Sequence, residues 1–273
     1  MTKRLLTERE RDWCRAIEGS EDRLLATIGQ FEDYGDYEVI RTDRFPAYYA
    51  GNGILIRDLG AGDLDFWIGV FHRHFPNPPY RHVTFTFPVD TEDRLLIDQA
   101  TAAGFVVSEE VLMATESSVV ANPAHRRAEH TPRLLNGEAD QEALYQLQLA
   151  EAREEDWFVD EGDFDMLFGK SRVVSEGAGI RWLGVDRSVG SGLASALGFF
   201  DHEGICRLQE VITAPDMRGK GMATSLIVEA ARLAAARGTP AIGLIADRDG
   251  DAIRLYRRLG FTDLADDTSL MLY

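Results

Sequence analysis

Cysteine is nearly absent: Cys14 and Cys206 are the only two in 273 residues, far apart and without CxxC spacing. That excludes a disulfide framework, a thioredoxin-type redox pair and the common zinc-binding spacings. Lysine is almost as scarce, with Lys3, Lys170 and Lys220 its three examples, so nearly all positive charge is arginine. Against 29 Lys and Arg stand 46 Asp and Glu, a formal net charge of −17 and a pI near 4.7. Binding to a phosphate backbone needs a basic patch or stripe, so nucleic acid is excluded as a partner. An acidic surface keeps a protein dispersed and also attracts cations, and composition leaves both roles open. No run of about 18 apolar residues is present to span a bilayer. The opening "MTKRLLTERERDWCRAIEGS" is too charged for a secretory leader. The expected setting is cytoplasmic and reducing, with no membrane partner.

What is present is material for a packed core: 45% hydrophobic residues, 10% aromatic and no low-complexity tract. The stretch 117–132, "SSVVANPAHRRAEHTP", keeps neither a helical nor a strand period. It places a boundary near 122–131 and two units, 1–122 and 131–273. In the first, a charged helical pattern over 3–29 breaks near Gly19 and Ser20, and alternation over 37–59 around a Gly-Asn-Gly signal reads as a hairpin. A helix over 63–75 follows, stopped by "NPPY", and then the strand "RHVTFTFPV". The next helix takes Asp90 or Thr91 as N-cap and Gly104 as its stop, and leads into a strand from Val106. The second unit reads as a strand, two helices and three strands, then a glycine-rich turn, helix, strand, helix and strand. The fold class is α/β (α+β), with a mixed central sheet and helices on both faces. A faint echo links 99–114 with 256–272, each a helix ending in Gly-Phe before a strand, which leaves an internal repeat open.

The glycine-rich turn is "APDMRGKGMATSL", 214–226, between an apolar strand and an amphipathic helix. Backbone N–H groups at such a helix start suit an anion. A P-loop is ruled out, because Ala214 stands where its first glycine belongs and Gly221 where Ser or Thr should follow Lys220. A dinucleotide fingerprint would need glycine at the position of Thr224. A metal site on "HRH" fails as well, since His72 and His74 on a helix lie about 200° apart. No elbow motif supports a Ser-His-Asp triad.

The segment "RGKGMA" resembles the acyl-CoA turn of the GNAT acetyltransferase superfamily, (Arg/Gln)-x-x-Gly-x-(Gly/Ala), with Arg218, Gly221 and Ala223 in its fixed places. "VITAPD" before it resembles the family's strand end, with Thr213 where Val is commoner. Downstream, "DGDAIRLYRRLGF" is similar to the family's second motif through Ala252, Leu255, Tyr256, Gly260 and Phe261, with Asp249 in place of the usual Asn. The resemblance implies a GNAT-like C-terminal domain preceded by a smaller α/β domain. No such turn occurs before residue 130, and the tyrosine's counterpart falls at Gln99 or Thr101. The first half therefore resembles a degenerate copy, making a tandem, and is expected to serve as a lid or docking surface.

The same resemblance implies acetyl-CoA as co-substrate, no metal, and direct attack by a primary amine of a small molecule or peptide. The pyrophosphate is expected on the N–H groups of Arg218, Gly219, Lys220, Gly221, Met222, Ala223 and Thr224. Pantetheine would pair with Val211, Ile212 and Thr213, where the sheet splays. Asp249 would lie near the cofactor arm and cap the following helix, and Tyr256 would be the acid for the leaving thiolate. Glu210 is the first candidate base and Asp247 the second; alternation sets Glu210 on the face opposite Val211. The acidic, aromatic stretch 157–165 would cover a cationic acceptor. Two alternatives stay open: a non-catalytic acyl-CoA-binding module in place of an enzyme, and monomer or homodimer.

Overall fold

The charged N-terminal stretch forms α1 (Glu8–Ala26), started by a capping box in which Thr7 and Glu10 satisfy each other's backbone N–H groups. It runs unbroken through Gly19 and Ser20, where the buried Ser20 hydroxyl donates back to the Ile17 carbonyl at 2.6 Å. In the computed structural model, residues 5–91, 93–125, 129–154, 161–188 and 191–273 are described. After α1 the first half continues with β1 (Gln30–Asp33), β2 (Tyr37–Arg41), β3 (Gly53–Ile56), α2 (Leu64–His74), β4 (Val83–Thr86), α3 (Arg94–Ala102), β5 (Val106–Glu116) and the short α4 (Ser117–Val120). The second half begins with β6 (Arg133–Leu134), α5 (Glu138–Glu154), α6 (Glu161–Ala178), β7 (Arg181–Asp186), β8 (Leu193–His202) and β9 (Ile205–Thr213). It ends with α7 (Met222–Ala236), β10 (Ala241–Asp247), α8 (Ala252–Arg258) and β11 (Thr262–Leu272).

Two local expectations are corrected. β2 and β3 do pair antiparallel, but Ile40 faces Gly53 across a connection that contains a 3-10 turn over Tyr49–Gly51. Buried Asn52 organises that loop: its side-chain oxygen accepts from the Thr42 N–H, and its amide donates to the Phe45 and Tyr48 carbonyls. The N-cap of α3 is Asp93, whose carboxylate accepts from Leu95 and Leu96, and not Asp90 or Thr91.

All described strands join one mixed sheet in the order β1-β2-β3-β4-β11-β5-β10-β9-β8-β7-β6. The halves interleave across the expected boundary: β5 of the first lies between β10 and β11 of the second, and β11 lies between β4 and β5. Both faces of β5 are covered, which explains the unbroken buried run Val111, Leu112, Met113 and Ala114. Val111 and Met113 pack towards α7 and α8, while Leu112 and Ala114 pack towards Cys14 and Ile17 of α1. Both thiols are buried and pushed up to about 12, chiefly by that burial.

The two halves repeat one plan. β3 and β4 are parallel across α2, as β9 and β10 are across α7. α3 leads to β5 through Gly104 (φ 91°) and Phe105, and α8 leads to β11 through Gly260 (φ 95°) and Phe261. The Phe105 N–H donates to the Ala100 carbonyl, and the Phe261 N–H to the Tyr256 carbonyl. The repeat therefore sets Ala100 opposite Tyr256, rather than Gln99 or Thr101.

Candidate active site

The turn before α7 is built to leave its donors free. Arg187 holds the Asp216 carboxylate with two hydrogen bonds, 2.7 and 3.0 Å, fixing the entry to the turn. Gly219 (φ 74°) and Gly221 (φ 83°) adopt the left-handed conformation that glycine takes without strain. Gly221 is the N-cap of α7 and supplies no side-chain cap. Among the described residues, the N–H groups of Gly219 through Thr224 find no acceptor outside regular helix bonding. They border a groove of about 930 Å³, lined also by Val211, Thr213 and Tyr256. Arg218 lines it too, with its guanidinium 2.6 Å from Glu154 and its Nε donating to the Thr213 carbonyl. Lys220 turns back, donating to the Asp216 carbonyl at 3.0 Å.

The topologically matching turn in the first half cannot do this. α2 begins on Asp63, whose carboxylate accepts from the Phe66 N–H, so an acid already occupies the helix start.

The groove reaches the opening of the sheet. β9 and β10 pair only from Ala241↔Ile205 to Gly243↔Arg207, so the later residues of β9 present a free edge towards β10. The bulge that accompanies this opening sits where the β8 register jumps from Gly198↔Gln209 to Ala196↔Ile212. Glu210 takes φ 47° there, a strained value for a non-glycine residue, costing on the order of 1–3 kcal/mol. Simple alternation therefore fails: Glu210 and Val211 both line a second cavity of about 410 Å³, between β9, α5 and α6. Val211 borders both cavities, while Ile212 is buried beneath α5 and lines only the second.

In that second chamber the Gln148 amide donates to Glu210, and the Ser171 hydroxyl lies 3.4 Å from the same carboxylate. The Lys170 ammonium sits 3.9 Å from the centre of the Tyr48 ring. Burial lowers the Lys170 pKa, against the opposing pull of Glu210 and Glu21. Phe164 lines the chamber; Trp157 and Phe158, expected beside it, lie outside the described residues.

Tyr256 is 6% exposed and packs its ring edge-on to Phe261, 5.9 Å away. Burial pushes its phenol up to about 12, opposed by Arg207. Asp249 does not cap α8, whose N-cap is Asp251; its backbone N–H instead donates to the Asp247 carboxylate. Asp247, Gly250 and Asp251 line the groove.

A row of acids extends from Asp247. Its register partner on β5 is Glu110, and the partner of Glu110 on β11 is Asp267. All three share the sheet face covered by α1, whose Glu21 pairs with buried Arg207 at 2.5 Å. Asp267 is pushed up to about 7 by burial first, then by Glu110, Glu21 and Glu18. Glu110 is raised by burial and by Glu21, with Arg207 pulling it down. An acid whose folded pKa exceeds its unfolded value of about 4 destabilises the fold increasingly from that pH up to its folded pKa, and no further above it. Asp267→Asn is therefore expected to raise Tm by an increment that grows from about pH 4 to about pH 7 and then levels off, a few degrees per kcal/mol relieved. Thermal melts of both proteins across that range check this, and a pH-independent increment contradicts it.

Of the expected residues, the structure gathers Val211, Thr213, Arg218 to Thr224 and Tyr256 at one groove and Glu210 in the adjoining chamber. Sequence reading missed Tyr48, Gln148, Glu110 and Asp267; only the rarity of lysine hinted at Lys170. His74 and His82 have structural partners, Tyr37 at 3.2 Å and the Asn52 carbonyl at 2.9 Å. Among the described residues no group of His, Cys, Asp and Glu is arranged to hold a metal ion, and no helix is long and apolar enough to cross a membrane.

Residues 178–263 match the family model of the acetyltransferase (GNAT) domain. No curated protein matches the sequence. Among solved structures, a functionally unknown conserved protein from Staphylococcus epidermidis is similar at 15% identity, over 89% of this chain and 93% of that one, with a TM-score of 0.70. A GCN5-related N-acetyltransferase from Kribbella flavida is similar at 14% identity, over 98% and 96%, with a TM-score of 0.62. A tandem GNAT protein from the clavulanic acid biosynthesis pathway aligns at 12% identity, over 97% and 94%, with a TM-score of 0.53. At these identities the likeness is one of fold, and it spans both halves. Residues 178–263 thus match a GNAT domain, and the chain as a whole shares its fold with GNAT structures, a tandem one among them.

Proposed function

We propose that the protein is an N-acetyltransferase that moves an acetyl group from acetyl-CoA to a primary amine of a small molecule or peptide by direct attack. The observation that carries this reading is the uncapped start of α7, whose free N–H groups face a groove leading along an unpaired β9 edge to the Glu210 chamber. A pyrophosphate suits those donors. An amide chain such as pantetheine suits an open strand edge.

The acceptor needs help to react. An alkylamine of pKa about 10.4 is neutral at pH 7 only roughly once in 2,500 molecules. Glu210 takes the first proton from the ammonium, and the neutral nitrogen attacks the thioester carbonyl. The C–S bond breaks on collapse of the adduct, the nitrogen sheds a second proton, and one proton ends on the sulfur.

With Tyr256 at about 12 and a thiol near 8.5, full proton transfer from the phenol is uphill by roughly 5 kcal/mol. Tyr256 therefore acts as a hydrogen-bond donor to the departing sulfur. Tyr256→Phe is expected to lower kcat by about 10- to 100-fold with acetyl-CoA affinity unchanged, since one hydrogen bond to a developing charge is lost. Calorimetric titration with acetyl-CoA, followed by thiol release against an amine panel, tests the proposal. Saturable binding without transfer to any amine would favour a non-catalytic acyl-CoA-binding module.

A further inference from the structure

We propose that Lys170 is a self-acetylation site, its side-chain nitrogen taking an acetyl group from the thioester delivered along the β9 edge. This rests on the acetyltransferase reading and adds a covalent modification of the chamber wall. Val211 and Glu151 line both the groove and the chamber, so the two cavities share a wall beside the unpaired strand edge. Lys170 lines the chamber from α6, its Nζ 3.9 Å from the centre of the Tyr48 ring. An ammonium has three donors to satisfy. Among the described residues Lys170 makes neither an ion pair nor a hydrogen bond, and it rests on the ring face alone. Lys220, by contrast, is turned to the Asp216 carbonyl and the Met217 sulfur.

This placement suits a nucleophile better than a structural cation. A lysine held for its charge sits in water or against a carboxylate, and a buried one loses its proton readily. Burial disfavours the charged form of Lys170, as a nucleophilic nitrogen requires. Glu210 lines the same chamber and is the group able to take the proton. The Lys170 ammonium gives one proton to Glu210, and its neutral nitrogen attacks the thioester carbonyl. The adduct collapses with breakage of the C–S bond, the nitrogen's second proton passes to the sulfur, and Glu210 returns its proton to solvent. The products are Nε-acetyl-Lys170 and CoA thiol, with no further reactant. The chamber then loses its cation and gains a two-carbon acyl group beside Glu210.

The test is incubation of the full chain with isotopically labelled acetyl-CoA and no added amine, followed by peptide mass spectrometry. Label is expected on Lys170 at about tenfold or more the level on Lys3 and Lys220, at a rate independent of protein concentration, as reaction within one molecule requires. Glu210→Gln should slow the labelling by about a hundredfold. A Tm measurement confirms that the variant folds, and the wild-type comparison stands without it. Label spread evenly over the three lysines, a rate that rises with protein concentration, or label confined to Ser171 as an ester that hydroxylamine removes would each overturn the proposal. Transfer to an added amine that leaves unacetylated Lys170 unlabelled would overturn the self-acetylation alone; absence of acetyl-CoA binding would overturn the acetyltransferase reading with it.

Discussion

Gly221→Asp is expected to abolish acetyl-CoA binding, raising Kd by about a hundredfold or more, while the protein still folds. The backbone contributes little to the loss. Gly221 sits at φ 83°, and aspartate visits the left-handed region more readily than most residues. The loss comes from the side chain, which places a carboxylate where N–H groups converge on a dianionic pyrophosphate and offers those same N–H groups an internal acceptor. Charge-assisted hydrogen bonds are worth about 1.5–3 kcal/mol each, so losing two already reaches the stated factor. The first half has made the equivalent change, with Asp63 capping α2 in place of a free helix start. Gly221→Asn separates the contributions: it blocks the donors similarly without the charge, so its deficit should be smaller and less sensitive to salt. Titration calorimetry at two ionic strengths reads both, and wild-type affinity in Gly221→Asp would show that the cradle is misassigned.

The glycine turn and the uncapped helix start were legible because they are local. A strand, two glycines and a helix start follow one another within "VITAPDMRGKGMA", and the physics that frees the N–H groups needs no distant residue. The Gly-Phe corners were legible for the same reason, each a positive-φ glycine closing a helix. The second chamber and the row of acids were not. Glu210 owes its direction to a bulge that breaks alternation, and nothing in "LQEVIT" announces an extra residue. Glu110 and Asp267 become neighbours only because β5 and β11 are exchanged between halves, a pairing of strands more than 150 residues apart that local periodicity does not encode. The first half contributes Tyr48 to the chamber wall and Glu21 as the partner of Arg207.

Glu210→Gln carries the second large effect, a fall in kcat/KM of about a hundredfold or more for an alkylamine acceptor, the usual range for losing a general base. The isosteric amide still fits against Gln148 and Ser171, and acetyl-CoA affinity should be untouched because the cradle lies in the other cavity. A packing role for Glu210 would predict the same deficit with every amine. A base role predicts one that depends on the acceptor: an amine of pKa about 8 is neutral in roughly one molecule in ten at pH 7 and needs little help, whereas one of about 10.4 needs most of it. The variant should therefore lose much less activity with the weakly basic acceptor, or at high pH with the strongly basic one. Asp247→Asn, on the opposite lip of the sheet opening, should cost less than about tenfold in kcat with either amine, because its carboxylate lines the other cavity and accepts the Asp249 N–H, away from Gln148 and Ser171. If Asp247→Asn shows the acceptor-dependent loss and Glu210→Gln does not, the roles of the two lips are reversed.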